Sequence, residues 1–137
     1  MTRSLRRLPD WQVRLAAFER ARRAEPFSWG NNDCATFAAG CVEALTGERV
    51  LDFVNMPTSA RRAMRVVRDA GGMRRAVSLI LGEFVAPVFA RPGDVVLLRV
   101  GRHHALGICN GTVAFGPSHV GVASVDMRCA ECAWKVD

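Results

Sequence analysis

The stretch F27-S-W-G-N-N-D-C-A-T-F-A-A-G-C-V-E-A-L-T-G47 joins a turn to a helical pattern. Cys34, Phe37, Ala38, Cys41, Val42 and Leu45 recur at intervals of three and four residues. That spacing predicts one apolar stripe on a helix. Asn32 or Asp33 suits the N-cap and Gly47 the stop. Cys41 lies within the stripe and reads as core. Cys34 falls in the first turn, where free N–H groups and the helix dipole favour an anion. Two readings are open: a small core residue, or a nucleophile whose thiol pKa is depressed by the helix start. Asp33 reads as a cap, and its charge opposes a thiolate next to it.

Working outward, a first helix is expected from after Asp10 to about Ala24, with Trp11, Leu15 and Phe18 on one side and Pro26 beyond its end. A third is expected over Arg61 to Ala70 after a Thr58–Ser59 cap, and a fourth over Met73 to Leu81, ended by Gly82. After Pro92–Gly93 the pattern turns to strands: "DVVLLRV", "HALGIC", "TVAF", "VGVASV" and "AWKV". Asn110–Gly111 signals a hairpin. Helices first and closely spaced strands later predict an α+β fold, with N-terminal helices packed on a small antiparallel sheet. The 137 residues suit one domain, 1–137.

The net charge is +6 and the pI about 9.9. Lys135 is the sole lysine. Arg61, Arg62, Arg65, Arg68, Arg74 and Arg75 read as solvated helix sides. The alternative is a face for a polyanion, either nucleic acid or a cell-wall polymer. No aromatic side chains interleave with them as a base-stacking platform requires, so nucleic acid is not expected as a partner. No apolar run is long enough for a membrane span, and the basic N-terminus leads into no signal-peptide core. Five cysteines without a secretion signal predict reduced thiols. Cys129-x-x-Cys132 has the spacing of half a zinc site with no second half, and reads as two near-surface cysteines. Neither a metal nor an organic cofactor is expected. His103, His104 and His119 are the histidines.

"WGNNDCATFA", "RPGDVVLL" and "HALGICNG" together resemble the NlpC-type, papain-like cell-wall cysteine peptidases. More narrowly, "DWQVRLAAF", "PGDVVLL", "LGICNG" and "AWKV" resemble short phage-encoded proteins of that fold, found among tail genes and in gene-transfer particles. The resemblance implies a tail-associated cysteine peptidase or amidase-like hydrolase acting on peptidoglycan peptides. Cys34 would be the nucleophile, His104 the proton carrier and the Cys34 N–H an oxyanion donor. Implied partners are wall peptides and tail-tip proteins. The implied location is the cytoplasm during synthesis and a particle tail afterwards.

Two departures support the alternative of a structural tail-tip adaptor with a decayed site. Ala105 stands where the family has its histidine, with His104 one residue earlier. The third polar position falls near Ala114 or Phe115, leaving Asn110, Ser118 and Asp126 as candidates. If Gly107 faces the helix, Ala105 and His103 share that face, and a bulge near Gly101–Arg102 is needed to bring His104 inward. His119, after Gly-Pro-Ser, reads as a loop at the rim of the cleft.

Overall fold

The computed structural model describes residues 5–137. Helices come first: α1 (Trp11–Arg22), α2 (Cys34–Thr46), α3 (Ala60–Ala70) and α4 (Met73–Leu81). Strands follow: β1 (Val95–Val100), β2 (His103–Asn110), β3 (Val113–Ser118), β4 (Gly121–Asp126) and β5 (Ala130–Trp134). They form one antiparallel sheet in the order β4-β3-β2-β1-β5. The α+β architecture is as the sequence predicts.

The stripe on α2 becomes the centre of the core. Eight of its 13 residues are buried, among them Phe37, Cys41, Val42 and Leu45. They pack with Leu15 and Phe18 of α1 and with Val95, Leu97, Leu106, Ile108, Phe115 and Trp134 of the sheet. Phe37 meets Phe18 and Phe115 edge-on, at 5.1 and 5.8 Å between centroids. Each such large side chain removed from water contributes about 1.5–3 kcal/mol. The opposite face of the sheet is also covered. Val96, Leu98, Cys109, Ala114 and Ala133 pack there under Val85, Ala90, Val125 and Met127. The outer edge of β5 is closed by paired backbone hydrogen bonds between Val85 and Ala133.

Several local expectations change. α1 ends at Arg22, two residues early, and the Asp10 carboxylate accepts from Arg14 Nε at 2.8 Å in place of capping the helix. The hairpin turn is Gly111–Thr112, because Asn110 is still paired with Val113. Gly107 faces away from the helices: a Cβ there would lie 2.9 Å from Leu98 Cδ1 and 3.5 Å from Ala114 Cβ. Leu106 and Ile108 therefore face α2, and alternation gives His104 the same side with no bulge at Gly101–Arg102. The irregularity in the sheet lies instead where β5 slips against β1 at Leu97–Leu98. Cys132 is fully buried in the main core and Cys129 is half-buried, so the pair is not superficial. Among the described residues, no cluster of three metal-ligating side chains occurs. No helix among them is long and apolar enough to cross a membrane.

The Pro-Gly-Asp turn before β1 has a structural task. Asp94 is fully buried and accepts from Arg7 Nη2 at 2.8 Å, Lys135 Nζ at 2.7 Å, Arg91 N at 2.8 Å and Val136 N at 2.9 Å. Arg7 also donates to the carbonyls of Pro92 and Val136. One carboxylate thus ties the segment before α1 to the residues after β5. Gly93 (φ 95°) lets the turn pass under Leu45, whose Cδ1 a Cβ would meet at 2.8 Å.

Candidate functional site: the start of α2

The loop before α2 is built from its own polar groups. The Asp33 carboxylate accepts from Thr36 N at 2.9 Å and from Gly30 N at 2.8 Å. Thr36 Oγ1 accepts from Asp33 N at 2.9 Å, completing a capping box. Asn32 is buried; its amide donates to the carbonyls of Glu25 and Pro26 and its oxygen accepts from Arg22. Gly30 takes φ 78°, and a Cβ there would meet Pro57 O at 2.8 Å. Phe27 N donates to Ser118 O at 2.8 Å, so this loop runs beside the end of β3.

Cys34 enters the helix directly after this cap and lies half-buried against the core and the Leu106 backbone. Burial pushes its thiol above the ordinary value, and the neighbouring Asp33 charge adds to that. The Leu106 amide and the N–H groups of Cys34 and Ala35 pull the other way without prevailing. Both effects run against the expected thiolate near neutral pH: the helix start favours an anion, but Asp33 already supplies one there, and burial disfavours a second.

His104 is paired with a carboxylate on β5. Its Nε2 lies 2.9 Å from Glu131 Oε1 on β5. Arg74 Nη2 (3.8 Å) and Arg99 Nη1 (3.7 Å) approach the same carboxylate. No histidine is among the groups that set the Cys34 thiol, and no hydrogen bond joins the two among the described residues. His103 is exposed at the start of β2. His119 is exposed on the turn after β3, its ring 6.1 Å from that of Phe27, which in turn meets Trp29 edge-on at 4.8 Å. The rim position expected for His119 matches this aromatic contact near the entry to α2. Among the described residues, none of Asn110, Ser118 and Asp126 hydrogen-bonds an imidazole. Ser118 Oγ donates to Gly121 O, and Asp126 accepts from Arg128. The residue that does contact one, Glu131, was missed by sequence reasoning. Its only signal is that it is the sole acid in β5, and nothing in the sequence shows the β5 slip that accompanies its placement.

A comparison with curated proteins found no match. A family model matches residues 6–136, a span that takes in the loop before α2, the Asp94 turn and all five strands. On that match the chain belongs to the family described as a domain of unknown function, DUF6950.

Proposed function

We propose that the chain is an assembly component of a phage-type tail, built on an NlpC-like scaffold and not dependent on thiol chemistry. The observation that carries this reading is that, among the described residues, no hydrogen bond joins the two groups a thiol hydrolase must couple. Burial raises the pKa of the half-buried Cys34 thiol, while His104 is engaged with Glu131. General-base activation needs an imidazole within hydrogen-bond reach of the sulfur. Ala105, at the position where the resembled peptidases carry their histidine, offers none. The tail assignment rests on the resemblance of the sequence to short phage-encoded proteins.

The test pairs a cleavage assay with complementation. Purified chain incubated with labelled peptidoglycan peptides is expected to release no new amine above a Cys34→Ala control. In a particle-producing strain, deletion of the gene is expected to block tail completion, and Cys34→Ala to restore it. Cys34-dependent cleavage would overturn the reading.

A second reading, the hydrolase acting on wall peptides, is favoured by one observation. His104 lies on the α2 side of the sheet and is held by a carboxylate, as an orienting third residue would hold it. For that reading His104 must leave Arg74 and Arg99 behind and turn toward Leu106, and the same assay decides it.

A further inference from the structure

The helices α3 and α4 carry six arginines and one aspartate, and so five of the chain's six net positive charges. They are also the part of the fold least engaged with the core. α3 buries no residue, and α4 buries only Val77. An isolated 11-residue helix is marginal in water. This one is held by the Ser59 cap, by Gly71 (φ 99°) at its end, and by half-buried Ala63, Val67 and Ala70 underneath. On its outer side Arg61, Arg65 and Arg68 fall at i, i+4 and i+7, forming one ridge. None of the three is in an ion pair among the described residues, although most other arginines of the chain are. Met64 (70% exposed) adjoins that ridge on the same helix.

We infer that the outer face of α3 docks an acidic protein surface carrying apolar side chains between its carboxylates. Three arguments select that occupant. Guanidinium forks in a line match carboxylates two oxygens at a time. The exposed methionine beside the arginines gives an interface an apolar contact, which supplies the desolvated centre that ion pairs alone do not. A second copy docking face to face is disfavoured because it would set Arg61, Arg65 and Arg68 against the same three cations, and seven of the chain's carboxylates are already paired with its own cations. The inference names the partner chemistry for the assembly reading and rests on it.

The probe is a labelled synthetic helical peptide with glutamate and leucine on one face. It is compared with a single-stranded oligothymidine of equal charge and with phosphatidylserine-containing vesicles, all at about 0.1 M salt. Only the peptide is expected to bind tightly. Arg61→Gln, Arg65→Gln and Arg68→Gln together are expected to weaken it about fivefold, from three exposed pairs at a few tenths of a kcal/mol each. Met64→Ser is expected to weaken it at every salt concentration. All four positions are exposed, so circular dichroism should be unchanged. Tighter binding of the oligonucleotide or the vesicles, or indifference to the triple change or to Met64→Ser, overturns the inference. Failure here is distinguishable from failure of the assembly reading. A chain that cleaves wall peptides through Cys34 yet binds the acidic helix keeps this face, and one that does neither loses only the face.

Discussion

Asp94→Asn removes a charge that two cations and two backbone amides share. The side chain is completely buried, Arg7 is 6% exposed and Lys135 28%. Asparagine fits the space, but it turns one acceptor into a donor facing other donors, and it leaves the Arg7 guanidinium buried without an anion. Breaking a buried pair by removing one partner costs about 3–5 kcal/mol. That is a large share of the ~5–15 kcal/mol holding a domain together. For a chain of this length the loss lowers the melting temperature by about 10–17 °C. Thermal and urea unfolding followed by circular dichroism measure it, with Asp126→Asn as the control. That control breaks only an exposed pair with Arg128 and should leave the melting temperature nearly unchanged. Arg7→Met should cost more than Lys135→Met, because Lys135 keeps partial access to water. If Asp94→Asn loses less than about 1 kcal/mol, the carboxylate does not hold the two chain segments together and the reasoning fails.

Three further outcomes are expected. Cys34 should alkylate with iodoacetamide more slowly than glutathione at neutral pH. An ordinary thiol with a pKa of 9.0 is only about 1% thiolate at pH 7, and burial raises this one further; Asp33→Asn should speed the reaction, and a fast unmodified Cys34 would contradict the geometry. Stability should fall as pH rises from about 9 toward 12. The Cys41 thiol is pushed up to about 12 by burial, so its contribution is complete below the unfolded value and lost above it. Burial raises the Cys34, Cys109 and Cys132 thiols as well, so Cys41→Val should reduce that alkaline slope without abolishing it, and an unchanged slope would exclude the Cys41 thiol as a source. Gly121→Ala should destabilise by at least about 2 kcal/mol in urea, because φ is 120° and the added Cβ would fall 2.1 Å from Arg23 O; a neutral effect would show that β4 does not press on the end of α1.

How much of this could be read from residues alone varies with burial. α2 and α4 were legible because one face of each repeats at helical spacing and glycine closes each end. The side of β2 that meets the helices was not. Leu106–Ile108 is covered on both sides, so no polar residue marks an outer face, and Gly107 suggested a close helix when it relieves Leu98. Cys34 was legible as a helix-start thiol. The direction of its pKa was not, because that depends on how deeply the sulfur sits beside Leu106. The Asp94 turn was legible as a turn, while its partners Arg7 and Lys135 lie too far along the chain to be paired by inspection.

The Arg7–Val136 hydrogen bond spans 129 positions of chain. Contacts of that separation are the last to repay the entropy of closing the loop between them. The clasp around Asp94 therefore forms after the sheet has condensed on α2, downstream of the folding barrier. Weakening it should leave the refolding rate almost untouched and appear almost wholly as faster unfolding. This single carboxylate then acts as a latch on the lifetime of the native state, setting how long the molecule stays shut once it has closed.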